Sequence, residues 1–182
     1  MNADELRALL KAVAREDVGV DEALERLSHG PFRHEDLGFA TLDHHRALRQ
    51  GLGEVVYGEG KSLQEVVEIA RRLAHQGSPV LLTRLDEAKT SALLEVFPKA
   101  RPNQRARTCL LNPPPEPDPE ESAPFVAVVS GGTADLPVAE EAAEVCVAMG
   151  VRAERIYDVG VAGLHRVLRH LPALRRATAL VV

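Results

Sequence analysis

The chain has 182 residues, of which 45% are hydrophobic, so it can bury the core of one large domain or of two small ones. Its net charge of −5 and aromatic content of 3% argue against nucleic-acid binding and against binding to anionic membranes. The charged N-terminus is no signal peptide, and no apolar stretch reaches membrane-spanning length, so we expect a cytoplasmic protein.

Residues 1–111 are predicted to form a mixed α/β domain that begins with two helices. Asn2 and Glu5 have the spacing of a capping box at the start of the first helix. A second helix follows Asp21 and ends at Gly30-Pro31. The apolar stripe of the first helix comprises Leu6, Leu9, Leu10 and Val13.

The rest of this domain alternates short strands and helices. Strands are predicted at residues 39–42 and 54–57, and then Ser62 and Glu65 form a capping box for a helix that Gly77 stops near residue 76. A buried strand at residues 79–83, a helix at 86–97 and a strand at 105–111 complete the predicted domain.

Residues 112–124, NPPPEPDPEESAP, carry six of the twelve prolines and four acidic residues. Proline supplies no backbone donor and cannot join a helix interior or a central strand. We therefore predict an extended, solvated linker that divides the chain into two units.

In residues 125–182 the predicted strands and helices alternate more regularly. The apolar run FVAVV at 125–129 is predicted to be a strand with both faces covered. A helix over 136–149 has Asp135 as its candidate N-cap and ends at Gly150. A strand at 152–159, a helix at 163–170 and a buried strand at 177–182 follow. This β-α-β-α-β order predicts a parallel sheet with right-handed crossovers.

Ligands of open parallel sheets bind beyond the carboxyl ends of the strands. Here the first such end is the turn SGGT at 130–133, where glycines and a helix N-terminus favour an anion such as phosphate. An ordinary strand-to-helix turn is an equal alternative from these residues alone, and Asp135 and Asp158 could each simply cap a helix. The candidate substrate- or phosphate-binding residues are Ser130, Gly131, Gly132, Thr133, Asp135, Asp158, Gly160, Val161 and Gly163.

A second candidate group consists of Arg46, Arg49 and Lys61, which could contact an anion or simply line a solvated helix face. Adjacent histidines point about 100° apart on a helix, so His44 and His45 cannot serve one metal ion. Their roles, and that of His165, stay open. The spacing supports no metal site and no disulfide, and Cys109 and Cys146 are interpreted as small buried hydrophobes.

Two long motifs resemble one known family. GTADLPVAEEAAEVCVAMG and YDVGVAGLHRVL in the second unit, and LDHHRALRQGLGEVVYGEGKS in the first, resemble pyridinium-3,5-biscarboxylic acid mononucleotide synthase, which begins nickel-pincer nucleotide cofactor synthesis. The catalytic half of that family is related to 5-aminoimidazole ribonucleotide carboxylase. The resemblance implies an α/β protein whose residues 125–182 are the first β-α-β-α-β part of a flavodoxin-like parallel-sheet domain.

The resemblance also implies a reaction. The family carboxylates the pyridinium ring of nicotinic acid adenine dinucleotide with CO2 as co-substrate and cleaves its phosphoanhydride to release AMP. A cysteine thiolate adds to the ring to make its carbon nucleophilic. No tightly bound cofactor is expected, a Mg²⁺ requirement is open, and the family assembles as homo-octamers.

The family's reactive cysteine would lie beyond Val182, so we expect the chain to be cut there and, by itself, to be inactive. Two alternatives remain at this point. One is aminoimidazole ribonucleotide carboxylase or mutase of purine synthesis, and the other is a nucleotide-binding remnant without catalysis.

Overall fold

The computed structural model describes residues 3–28, 34–44, 46, 52–75, 77–116 and 123–182. At the N-terminus, α1 (Ala3–Ala14) and α2 (Val20–Ser28) form a helical pair. Strands β1 (His34–Asp36) and β2 (Thr41–Asp43) then form an antiparallel hairpin.

The N-terminal unit is built on a four-stranded mixed sheet of order β3-β4-β6-β5. Its strands are β3 (Val56–Tyr57), β4 (Val80–Thr83), β5 (Arg101–Asn103) and β6 (Thr108–Leu111). Helices α3 (Leu63–Ala74) and α4 (Glu87–Val96) connect them. Residues of α3, including Val66 and Ile69, pack with Leu82 and Cys109 to form the main core of this unit.

The C-terminal unit contains a three-stranded parallel sheet of order β8-β7-β9. Its strands are β7 (Val126–Val129), β8 (Ala153–Ile156) and β9 (Ala179–Val181). Between β7 and β8 lie a 3₁₀ turn (Thr133–Asp135) and α5 (Leu136–Ala148). Between β8 and β9 lie a second 3₁₀ turn (Val161–Gly163), α6 (Leu164–Arg169) and α7 (Leu171–Arg176).

The structure has five layers, with α5 in the middle. The four-stranded sheet lies on one side of α5 and is covered on its far face by α3 and α4. The three-stranded sheet lies on the other side of α5 and is covered on its far face by α6 and α7. Towards the C-terminal sheet, Ala139 and Ala143 of α5 pack against Val128. Towards the N-terminal sheet, Ala148 and its neighbours pack against Leu81 and Leu110. The small side chains let α5 approach one sheet closely while its other side packs against the second.

The opposite face of the C-terminal sheet is covered by α6 and α7. Ala127 and Phe125 on that face are buried with Ile156, and Val167 and Leu174 pack against them. The prediction of an α/β fold with a flavodoxin-like parallel sheet is confirmed. The apolar run FVAVV lacks alternation because helices cover both faces of β7.

Several local predictions were wrong. Leu10 is 57% exposed rather than part of the buried stripe of α1, and Phe39 is 48% exposed in the turn before β2. β5 was not predicted. β9 was expected to be buried, but it is an edge strand whose Leu180 is 53% exposed. The predicted cap at Asn2 and stop at Gly30-Pro31 lie outside the described residues, as do residues 117–122 of the predicted linker.

Candidate functional site

The loops that follow β7 and β8 are joined backbone to backbone. The Ser130 amide donates to the Ile156 carbonyl oxygen at 3.1 Å, and the Val159 amide donates to the Ser130 carbonyl oxygen at 3.1 Å. One residue further on, the Gly160 amide donates to the Gly131 carbonyl oxygen at 2.9 Å. The sheet pairing therefore continues past the strand ends, and the two predicted loops form one surface.

The junction is tightly packed at Gly160. A Cβ atom there would lie 3.0 Å from the Gly131 carbonyl oxygen, which is tighter than nine in ten real Cβ contacts. At Gly131, by contrast, an added Cβ would lie 3.5 Å from a carboxylate oxygen of Asp135, which is ordinary contact. Gly160 thus has a structural reason to be glycine, whether or not a ligand binds here.

Ser130 is the most informative residue of the turn. It is 5% exposed, and its hydroxyl has no hydrogen-bond partner among the described residues. A buried hydroxyl without a partner carries a free-energy penalty, so such groups are rare and call for a specific explanation. It lies at the carboxyl end of the central strand, where parallel sheets of this order bind their ligands.

Asp135 does not cap α5 as predicted. Its carboxylate accepts a 2.9 Å hydrogen bond from the Gly132 amide and makes no side-chain cap bond to α5. Asp135 is the last residue of the 3₁₀ turn and already has a helical backbone conformation (φ −85°, ψ −14°) rather than the extended one of a typical N-cap, so its side chain folds back onto the turn. A carboxylate therefore already occupies the Gly132 amide. An incoming phosphate would meet like charge there, whereas a ligand hydroxyl could donate to Asp135.

The loop after β8 is held in a left-handed backbone conformation. Asp158 has φ of 58°, and its carboxylate pairs with the Arg166 guanidinium of α6 at 3.1 Å. A Cβ at Gly163 would meet the Arg166 Nε at 2.6 Å, so glycine lets this arginine lie across the turn. Val161, in the same loop, is 88% exposed, and Thr133 is exposed in the loop after β7.

The described members of the predicted basic group, Arg46 and Lys61, belong to the N-terminal unit. Lys61 lies in the turn between β3 and α3, and Arg46 follows β2 in the N-terminal unit. Arg49 and His45 lie outside the described residues. His44 is buried, and its Nε2 lies 3.1 Å from a carboxylate oxygen of Glu35, while His165 is exposed on α6. The anion role of the basic group stays a prediction.

Sequence reasoning missed a polar cluster at the carboxyl ends of β3 and β4. The Tyr57 hydroxyl donates to the Glu59 carboxylate, a bond that raises the pKa of Tyr57 and lowers the pKa of Glu59. Arg84, with φ of 53°, pairs with Glu141 of α5 at 3.0 Å. Gly58 packs so closely that a Cβ would lie 2.7 Å from the side chain of Leu85. The motif YGEGK at residues 57–61 was the sequence signal for this cluster. Nothing in the motif indicated that Glu141 of α5 would pair with Arg84.

Sequence reasoning also missed a pair of carboxylates on α5, formed by the partly buried Glu140 and the buried Glu144. Glu144 is 4% exposed and accepts hydrogen bonds from Arg101 at 3.1 Å, Asn103 at 3.1 Å and Arg155 at 3.4 Å. Glu140 accepts from Asn103 at 3.2 Å and from Arg155 at 3.1 Å. Donors from both units therefore converge on one helix.

Neither cysteine has the environment of a nucleophile. Cys109 lies in the core of the N-terminal unit, where burial raises the pKa of its thiol to about 11. Burial also raises the pKa of Cys146, which lies on α5. Both thiols are protonated near neutral pH, whereas thiol nucleophiles react as thiolates.

Within the described ranges, no group of three or more His, Cys, Asp or Glu side chains is arranged to hold a metal ion. Among the helices of the same ranges, none combines the length and the apolar character of a membrane span.

Comparison with known proteins identifies the first unit. Residues 34–113 match the family described as the LarB/PurE-like N-terminal domain. This part of the chain is similar to that N-terminal domain. The match overlaps the motif at residues 42–62 and supports the predicted resemblance to the LarB/PurE-like family.

The chain is also similar to an uncharacterized protein of Methanocaldococcus jannaschii. The two are 34% identical over 179 residues, which cover 94% of this chain and 66% of that protein. The similarity thus extends beyond the LarB/PurE-like N-terminal domain into the unit that carries the strand-end loops. The chain spans about two thirds of the length of this relative.

Proposed function

We propose that this chain forms the dinucleotide-binding part of an enzyme that carboxylates nicotinic acid adenine dinucleotide with CO2 and releases AMP from it. The single observation that carries the proposal is the buried hydroxyl of Ser130, unpaired at the ligand-binding edge of a parallel sheet. The LarB/PurE-like N-terminal domain gives independent support for the enzyme family.

In this proposal the loops after β7 and β8 bind and orient the substrate. The Ser130 hydroxyl, which has no partner among the described residues, gains one from the dinucleotide, and Asp135 accepts from a ribose hydroxyl of the ligand. The exposed Thr133 hydroxyl then contacts the phosphates, away from the Gly132 amide that the Asp135 carboxylate occupies. Orientation of the pyridinium ring towards CO2 is the contribution of this part of the protein to catalysis.

The chemical steps balance without an oxidant or a reductant. A thiolate adds to the pyridinium ring, and the resulting electron-rich carbon attacks CO2 to form the new carbon–carbon bond. Loss of the ring proton and of the thiolate restores the aromatic ring. Water then cleaves the phosphoanhydride and yields AMP and the carboxylated mononucleotide. Because burial raises the pKa of both Cys109 and Cys146, neither of these thiols is assigned the role of the thiolate.

The test is calorimetric titration of the chain with nicotinic acid adenine dinucleotide. We expect binding, and we expect Ser130→Ala to weaken it about tenfold, the loss of one good hydrogen bond. Thr108→Val is the matched control, since the Thr108 hydroxyl is also buried and unpaired among the described residues but lies in the N-terminal core. A wild-type chain that does not bind the dinucleotide contradicts the proposal, and tighter binding of 5-aminoimidazole ribonucleotide would favour the purine carboxylase instead.

A further inference from the structure

The buried carboxylates of α5 link the two units at the element that leads directly from the candidate site. α5 begins at Leu136, immediately after the turn that contains Gly132 and Asp135. Glu140 lies just over one helical turn further on, and Glu144 lies one turn beyond that. A shift of α5 along or about its axis would therefore displace the turn after β7.

Arg155 extends the same network to the second loop. It lies on β8, three residues before Asp158, and donates to Glu140 at 3.1 Å and to Glu144 at 3.4 Å. The two carboxylates thus connect the helix behind the first loop with the strand in front of the second.

The N-terminal unit supplies the remaining donors. Arg101 donates to Glu144, and Asn103 donates to both carboxylates from the edge strand β5. The side chains of Glu140 and Glu144 are 13% and 5% exposed, so a lost donor would leave a largely desolvated carboxylate with fewer partners. Arg155 alone would leave one of two buried carboxylates without a compensating cation.

We propose that Arg101 and Asn103 are positioning residues that set both strand-end loops through the buried carboxylates Glu140 and Glu144. The consequence for ligand affinity rests on the proposed function, whereas the consequence for loop order does not. Through Arg101 and Asn103, the N-terminal unit would then act on the substrate site without contact between these two residues and the substrate.

Asn103→Asp is the sharpest variant. The Asn103 side-chain oxygen accepts from the Ala106 amide at 3.1 Å, and aspartate keeps that acceptor. The change replaces only the donor that faces Glu140 and Glu144 with a further negative charge. Arg101→Gln removes the charge from the other donor, and Arg101→Lys restores it. Arg72→Gln is the matched control, because Arg72 forms its ion pairs with Glu68 and Glu35 within the N-terminal unit.

The first measurement is amide hydrogen exchange in the ligand-free chain, well below its unfolding midpoint. The Gly132, Val159 and Gly160 amides are hydrogen bonded within the loops. We expect Asn103→Asp to speed their exchange about tenfold while β4 keeps its wild-type rate. Unchanged loop exchange, or equal acceleration in β4, would overturn the proposal, since the latter is general destabilisation.

The second measurement is dinucleotide affinity under conditions where every variant is folded. We expect about tenfold weaker binding for Asn103→Asp and Arg101→Gln, partial recovery for Arg101→Lys and wild-type affinity for Arg72→Gln. Wild-type affinity in the first two variants contradicts the positioning role. If the wild-type chain binds no dinucleotide, the proposed function fails, and the exchange experiment still decides the positioning role.

Discussion

The α-carbon of Gly160 faces the carbonyl oxygen of Gly131 so closely that a Cβ would lie 3.0 Å from it. This contact joins the loops after β7 and β8. The φ angle of Gly160 is −56°, an ordinary value for any residue, so packing rather than backbone conformation favours glycine there.

We predict that Gly160→Ala destabilises the chain by about 1–3 kcal/mol, because one loop must move away from the other. Gly132→Ala is the matched control in the same surface, since its Cβ would meet an Asp135 oxygen at 3.8 Å. Denaturant unfolding measures both variants. Equal stability of the two alanine variants would show that the loops separate without cost.

Ser130→Ala is predicted to leave stability unchanged or to raise it by about 1 kcal/mol, because it removes a buried hydroxyl that has no partner among the described residues. A variant that loses ligand affinity but keeps its stability is typical of a residue whose role is to bind the ligand rather than to stabilise the fold. Thermal unfolding of the ligand-free chain measures whether the Ser130→Ala substitution raises or lowers the stability. A clear destabilisation would mean that the Ser130 hydroxyl has a partner in the folded protein, such as ordered water.

The capping box of α3 makes a pH-dependent contribution. The Ser62 amide donates to the Glu65 carboxylate at 2.6 Å, a bond that lowers the pKa of Glu65 from its ordinary value of 4.5. The bond therefore stabilises the fold above that value, and the contribution is lost as the pH falls through the lowered folded-state pKa. We expect Glu65→Gln to reduce the loss of stability on acidification.

At neutral pH, Ser62→Ala should cost about 1 kcal/mol, because it removes the bond from the Glu65 amide to the N-cap hydroxyl. Ser91→Ala within α4 is the control, and it should be neutral or slightly stabilising. Urea unfolding at several pH values measures both effects. A Glu65→Gln variant with the wild-type pH profile would contradict the assigned role of this carboxylate.

Cys109 and Cys146 are predicted to react slowly with iodoacetamide in the folded chain. Burial raises the pKa of both thiols, to about 11 for Cys109, so little thiolate is present near neutral pH. Cys146 is partly exposed and should react first. Mass spectrometry of native and urea-unfolded chains measures the rates. Rapid labelling of either thiol in the native chain would reopen its candidacy as the nucleophile.

The two units are predicted to unfold together. The chain has no tryptophan and two tyrosines, Tyr57 in the N-terminal unit and Tyr157 in the C-terminal unit. Tyr157→Phe and Tyr57→Phe variants therefore report on one unit each by fluorescence. Because α5 belongs to both cores, we expect each variant to give the same denaturant midpoint by fluorescence as by circular dichroism. A fluorescence midpoint that differs from the circular-dichroism midpoint of the same variant would show that the units unfold independently.

Local signals in the sequence predicted most of the elements correctly. Ser62 and Glu65 form the expected capping box, Gly77 and Gly150 follow their helices with φ of 73° and 70°, and residues 126–129 form the central strand. Each of these features depends on neighbouring residues alone. β5 escaped prediction because Arg101–Asn103 is a short edge strand with a proline and no apolar alternation.

The candidate site was predicted in outline but not in its contacts. The turns at residues 130–133 and 158–161 do meet at one edge of the sheet, as the parallel order required. The pairing of Asp158 with Arg166 and the convergence of Arg101, Asn103 and Arg155 on α5 depend on how distant segments pack. Single-sequence patterns contain no information on such pairs, since arginine on a strand is equally typical of a solvated surface.

The position of α5 between the two sheets limits how this protein can be recombined. A chimaera that took residues 125–182 from a relative would bring a helix whose Val145 and Ala148 must fit Leu81 and Leu110 of the recipient. It would also bring Glu140 and Glu144, which need donors at positions 101 and 103. The proline-rich segment therefore joins parts that are exchangeable only together with the sheet surface that α5 covers.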